Sequence, residues 1–167
     1  NFYAYFPYSD GTGDTGVQIT SEGVAGERYF EFILNEEADV DLMVAKAEGL
    51  TGGSVVLPFC HMLGKLRFCF KVDKDDGFSY VVNKVKVLKT PKEARYSWDD
   101  ESFSIISTTH VEAYAGVNGS GHLIDSTEPV PVESFTMYLI PGPLGHVEIS
   151  MNNEDPVDID LSDQEIQ

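Results

Sequence analysis

Basic residues and cysteine are both scarce in this 167-residue chain. Eleven Lys and Arg stand against 28 Asp and Glu, a formal charge of −17 at pH 7. That balance argues against binding to nucleic acid, where phosphate contacts dominate affinity, and against an anionic membrane surface. It speaks to solubility before it speaks to a site, and in a sharper reading it suits divalent cations or basic partners. The two cysteines, Cys60 and Cys69, fall within one proposed strand. At about 3.3 Å per residue they are too far apart to bridge each other. They read as small buried hydrophobes and leave the redox compartment open. His110, His122 and His146 are isolated from one another and from cysteine, so the spacing of a structural zinc site is missing. No run of 18 apolar residues occurs, so no membrane-spanning helix is expected. No internal repeat is evident. The chain opens at Asn1 on a strand-like NFYAYFPY without initiator Met or signal peptide, and the expectation is an excerpt from a longer precursor.

Enough apolar material remains for a packed core, with 42% hydrophobic and 11% aromatic residues. The length suits one domain, or one domain plus part of another. Phe2 to Phe6 is aromatic and β-prone, and Pro7 stops it. Ser9 to Gly16 is a turn-rich loop, followed by strand material at Val17, Ile19 and Tyr29 to Leu34. One short helix is expected near 36–48, with Asn35 as N-cap, Glu36 and Glu37 in the first turn and Gly49 past the end, although Val40 and Val44 lower its propensity. Asp75-Asp76-Gly77 predicts a hairpin joining Phe68–Val72 to Phe78–Leu88, with a change of parity near Asn83. Thr90 to Asp100 reads as a polar turn broken by Pro91. Phe103–Ile106, Val111–Tyr114 and Phe135–Ile140 read as strands, and Val147–Met151 as the hairpin partner of the last. The acidic tail alternates at Val157, Ile159 and Leu161 and reads as a last edge strand or a frayed end. Many short strands between turns, with little helix, predict an all-β, antiparallel β-sandwich.

The run Val55 to Val72, VVLPFCHMLGKLRFCFKV, is the stretch on which the rest turns. Val55, Leu57, Phe59, His61 and Leu63 share one parity, while Leu66, Phe68, Phe70 and Val72 share the other. Side chains of a strand alternate faces, so an uninterrupted strand turns one set away from the core. Either a bulge at Leu63-Gly64-Lys65 restores a common face, or the chain changes sheet there. Lys65, Arg67 and Lys71 mark the wet face of the second half.

Catalytic and metal chemistry finds little to stand on. His61 lies between Phe59 and Leu63 without a partner nearby in sequence, and a hydrogen-bonded core histidine outweighs a base or a ligand. Asp73-Lys74-Asp75-Asp76-Gly77 resembles the front of an EF-hand loop, but its Gly falls one place early and no helices flank it. The Asp10-Gly11-Thr12-Gly13-Asp14 loop has the same ambiguity, and a turn outweighs a calcium site at both places. Asn118-Gly119-Ser120-Gly121 misses the nucleophile-elbow pattern. With 28 acidic residues, paired carboxylates for glycoside hydrolysis are always on offer and none is singled out. Tyr96, Trp98 and Tyr114 offer stacking faces for a sugar, against a core role for the single Trp.

Three motifs, in order, carry a resemblance. Phe2-Tyr3-Ala4-Tyr5-Phe6-Pro7-Tyr8 is similar to a "YAYYPY" strand, Asp41-Leu42-Met43-Val44-Ala45 to a "DLMYA" segment, and Val55 to Leu66 to a "V-x-L-x-F-x-H-x-L-A-K-L" signature. Leu139-Ile140-Pro141-Gly142 is a weaker match to a later "L-I-P-Q" turn. On these the chain resembles the fimbrillin-like family, the type V pilins and fimbrial-anchor proteins of Bacteroidales. Cys60 and Gly64 depart from the signature. The resemblance implies a two-domain, transthyretin-like sandwich, exported as a lipoprotein and displayed at the outer membrane or in a surface fimbria. Subunits would join when a strand of one fills a groove of the next, which is β-augmentation.

The expected division is therefore 1–63 as the trailing part of an N-terminal β-sandwich and 64–167 as a C-terminal β-sandwich that need not be complete, or else one continuous sandwich over 1–167. The expected function is a non-catalytic structural or adhesive component of a bacterial surface fimbria, with a carbohydrate-binding module as the alternative. Phe59, His61, Leu63, Lys65, Leu66, Phe68 and Phe70 form the structural signature. No catalytic, cofactor or metal residues are assigned. The expected partners are other fimbrial subunits by strand exchange and host or bacterial surface ligands, without nucleic acid. Attachment to the outer membrane would run through a lipid anchor outside this chain.

Overall fold

A computed structural model describes residues 1–7, 17–23, 28–34, 40–49, 52–73, 79–114 and 120–166. Among these residues there is no helix, and the strands are β1 (Phe2–Phe6), β2 (Val17–Glu22), β3 (Tyr29–Leu34), β4 (Met43–Ala47), β5 (Cys60–His61), β6 (Gly64–Phe70), β7 (Tyr80–Ser97), β8 (Ser102–Tyr114), β9 (His122–Ile124), β10 (Val130–Leu139), β11 (Gly142–Pro143), β12 (His146–Met151), β13 (Val157–Asp160) and β14 (Glu165–Ile166). Every strand pairing among the described residues is antiparallel. The all-β sandwich read from the sequence is the fold observed.

The spine is β7, which runs through two hydrophobic cores. Its first half carries Val82, Val85 and Val87 into a core shared with Val111, Ile124, Phe135, Met137, Leu139 and Val147. Its second half carries Ala94 and Tyr96 into a core with Phe30, Phe32, Leu42, Val44, Leu63 and Ile140, joined by Trp98 from the turn that follows. The buried positions change from odd to even between Val87 and Ala94. Ladder irregularities at Leu88/Thr90, Pro91/Glu93 and Glu93/Ala94 accompany that change, and Lys89 takes a φ of 57°. Such bulges let one strand present opposite parities to two cores. A further register shift opposite Ser150/Met151 coincides with the parity change near Asn83, whose buried side chain accepts a 3.0 Å hydrogen bond from Asn153 N.

Several local expectations are corrected. Met43–Ala47 is strand β4, held between β1 and β5, and not the end of a helix; the β-branched Val44 and the pairing edge of β1 outweigh the helix signals. The proposed cap and first turn, Asn35 to Glu37, lie outside the described residues. Thr90–Ser97 continues β7 instead of turning, because Pro91 sits at a ladder irregularity where its missing N–H is tolerated. Phe103–Ile106 and Val111–Tyr114 fuse into β8. The expected hairpin from Phe68–Val72 to Phe78–Leu88 does not pair: β6 pairs β10, while β7 pairs β3, β8, β9 and β12. Asp75-Asp76-Gly77 lies outside the described residues. Val147–Met151 pairs β7 and β13, and not the strand ending at Leu139, since Pro141–Gly145 carries the chain across the sandwich. The tail forms the edge strand β13.

The kink in β7 is closed by Gly145. A Cβ there would stand 2.6 Å from Leu88 O and 3.1 Å from Lys89 Cβ. The first contact is with backbone that cannot rotate away. Gly145→Ala is therefore expected to lower stability by about 1–3 kcal/mol, the usual range for overpacking. A fall in the urea midpoint at unchanged m-value reports it; an unchanged midpoint shows that the junction yields.

Candidate functional site

The apolar run that opened the question changes sheet where its parity breaks. Cys60 and His61 pair with β4 in the three-stranded sheet β1-β4-β5, and from Gly64 the same chain pairs with β10 in the two-stranded sheet β6-β10. Leu63, 8% exposed, is buried in the Trp98-containing core, whereas Leu66, Phe68 and Phe70 pack against the other. No bulge reconciles the two faces. Each half instead serves its own core.

The two cores are covered unequally. Three strands close the Trp98-containing core, with Tyr3 and Tyr5 of β1 packed against it. Two strands cover the other. Within that pair, Val132, Phe135, Met137 and Leu139 of β10 are between 0 and 3% exposed, while Leu66, Phe68 and Phe70 of β6 are only half-buried. Both sets face the same core, so the difference lies at the edge: β10 lies against β7 and β8 of the opposite sheet, and among the described residues no strand pairs with the outer edge of β6.

Val147 and Ile149 stand opposite Val87 and Val85 in one ladder and opposite Ile159 and Val157 in the next. Residues directly opposite in an antiparallel ladder share a face. Val157 and Ile159 therefore lie on the core-facing side, yet are 48% and 39% exposed. A groove of about 400 Å³ lined by Phe70, Lys71, Val72, Asp73, Tyr80, Val82, Ile124 and Met151 opens at the end of β6, and Val157 and Ile159 add exposed apolar positions on the core-facing side of β13. Sequence reasoning found the apolar stripe of β6 but not the core-facing side of β13. The alternation of the tail was the available signal.

The outer face of β6 is basic. Lys65 and Arg67 point to solvent, with Lys65 Nζ 5.5 Å from the centroid of Tyr138 and Arg67 3.4 Å from Glu133 on β10. Lys71 is exposed just beyond the strand.

The remaining signature residues fall elsewhere. His61 is not a core histidine: its side chain is 73% exposed, and Nδ1 contacts Asp41 Oδ2 on the neighbouring chain segment. Phe59 is 43% exposed and precedes the strand. Both residues belong to the outermost strip of the three-stranded sheet, where an apolar parity in the sequence does not imply burial. Cys60 and Cys69 are free and exposed, not buried hydrophobes. Trp98 is 6% exposed, with ring centroids of Tyr3, Phe30 and Tyr96 at 5.3–5.6 Å. Tyr96 is also buried, and the side chain of Tyr114 lies outside the described residues. Among the described residues no three His, Cys, Asp or Glu side chains are grouped to hold a metal ion. The Asp10–Asp14 loop and residues 74–77 lie outside them.

The covering strand β1 is held by polar contacts at its solvent rim. Tyr3 OH donates to Glu48 Oε1 at 2.6 Å and accepts from Arg28 Nη1 at 2.8 Å, and Arg28 also pairs with Asp99. The hydrogen bond from Tyr3 holds the Glu48 carboxyl below its ordinary value; desolvation opposes it, and Lys46 and Arg28 add to the lowering.

Comparison with protein families gives a match over residues 1–165 to the family described as fimbrillin-like. Comparison with curated proteins gives no match.

A carboxylate whose folded-state pKa is depressed contributes stability above its unfolded value and loses it as pH falls through the folded one. Acidification below the ordinary carboxylate range is therefore expected to loosen β1 before the cores open. Hydrogen exchange at Phe2–Phe6 read against pH tests this. Tyr3→Phe, which removes the leading cause, shifts the loosening to higher pH; an identical profile in the variant overturns the assignment.

Proposed function

The chain belongs to the fimbrillin-like family, and from that premise we propose that it is a non-catalytic structural and adhesive component of a bacterial surface fimbria, assembling by strand complementation. The observation that carries the assembly step is the asymmetry inside one two-stranded sheet: β10 is sealed against its core and β6 is half-open. An apolar face of a sheet is stable when covered, and an added strand beside β6 covers the half-buried Phe68 and Phe70 and extends toward the exposed Val157 and Ile159 while satisfying the N–H and C=O groups of that edge. In this reading the partners are other fimbrial subunits, and the protein is exported and attached to the outer membrane through a lipid anchor. The sandwich unit trailing through residue 63 and the unit beginning at Gly64 are two packing units that share β7.

Carbohydrate binding is the second reading. It is ranked lower because Trp98 and Tyr96, its stacking candidates, are committed to the core. The recess of about 250 Å³ lined by Tyr3, Tyr5, Arg28, Tyr29 and Trp98 is the place where it would operate.

Val157→Lys places a charge on the core-facing side of β13, in the path of the added strand, at a position exposed enough to leave the fold intact. The wild-type full-length protein is expected to give polymer ladders that survive mild heating in detergent, and the variant to lose them at an unchanged melting temperature. Ladders that persist in the variant, or a wild type that gives none, overturn the assembly reading. Glycan-array binding lost in Trp98→Ala would move the second reading to first place.

A further inference from the structure

The charge of β6 runs against that of the whole chain. Residues 49–72 contain no Asp or Glu in a chain with 28 of them, and three of the 11 Lys and Arg, namely Lys65, Arg67 and Lys71, are gathered there. The two within β6, Lys65 and Arg67, occupy its outward parity together with Cys69, and the inward parity is Leu66, Phe68 and Phe70. We infer that the incoming strand is an extended segment alternating apolar with acidic residues, apolar toward the groove and Asp or Glu on the outward side, facing Lys65, Arg67 and Lys71. This deepens, and rests on, the strand-complementation reading.

The geometry of a ladder makes the inference specific. A strand added beside β6 must place its side chains in phase with those of β6, because opposed residues share a face. Residues opposite Phe68 and Phe70 enter the apolar groove, where a charge would be desolvated without a partner. Residues opposite Lys65 and Arg67 stand on the exposed face, where opposite charges attract and like charges repel. Glu133 and the Tyr138 ring already flank these cations from the β10 side, so one side of the basic row is met within the chain. The other side is the edge that the strand would take. The overall charge of −17 opposes an acidic ligand at long range. At physiological salt that repulsion is screened beyond about 8 Å, while cross-strand neighbours at about 5 Å are within reach. The local pattern therefore decides the preference.

Peptides of about seven residues, alternating Val with Asp, Val with Thr or Val with Lys, test it on the whole chain by fluorescence anisotropy. The expected order of affinity is Asp, then Thr, then Lys. The outer members should differ by roughly tenfold, as two or three exposed cross-strand charge pairs allow, and high salt should narrow the gap. The combined variant Lys65→Glu, Arg67→Glu, Lys71→Glu should reverse the order, and these exposed sites leave the cores untouched. Equal affinities, or a preference for Lys, overturn the acidic-donor inference while leaving the groove as a strand acceptor. No binding of any peptide overturns the acceptor reading and this inference with it.

Discussion

A strand has only two faces, and β7 must satisfy two cores with them. Everything else in the chain is arranged around that constraint. The segment from Tyr80 to Leu88 gives Val85 and Val87 to one core, and the segment from Thr90 to Ser97 gives Ala94 and Tyr96 to the other. The change of parity is absorbed at Lys89 and Pro91. Without those irregularities either the first half would bury Lys84 and Lys86 and expose Val85 and Val87, or the second would bury Glu93 and Arg95 and expose Ala94 and Tyr96. The glycine at 145 follows from the same constraint, because the chain returning toward β12 passes directly against the kink.

The cover strands divide in the same way. Met62 N donates to Leu42 O as the chain leaves one sheet, and Gly64 pairs with Leu139 as it enters the other. A single crossing at Leu63 thus hands the chain from a three-stranded cover to a two-stranded one. The shortage of one strand leaves core-facing Val157 and Ile159 exposed at the margin of the sandwich. Burying such side chains is worth about 25 cal/mol per Å², so a sheet left open there retains driving force for a further strand.

Part of this was legible in the sequence and part was not. The phase break between Leu63 and Leu66 is a statement about faces, and it located a bulge or a sheet change at Gly64 before any contact was known. The choice between a bulge and a crossing was not legible, because both repair the same parity. His61 was misjudged for a related reason: alternation reveals which residues share a face, but not whether that face is covered, and the sheet ends at β5. The expected hairpins at 75–77 and 141–143 rested on turn chemistry, which says where the chain bends and nothing about whether the flanking strands bond to each other or cross between sheets. The groove drew on both kinds of information. Its wall at Phe70 was visible as part of a stripe, whereas Tyr80, Val82, Ile124 and Met151 are brought to it by ladders between distant segments.

The shared spine also fixes how the protein bears load. At about 3.3 Å per residue, the 18 residues of β7 extend roughly 60 Å as one covalent element without a linker between the cores. Tension along that axis passes through backbone bonds and is resisted in shear by the ladders to β3, β8 and β12, all of which must slip together. Two units joined by a flexible tether would stretch first at the tether. Here the connection between the units lies within the cores themselves, and it is as stiff as they are.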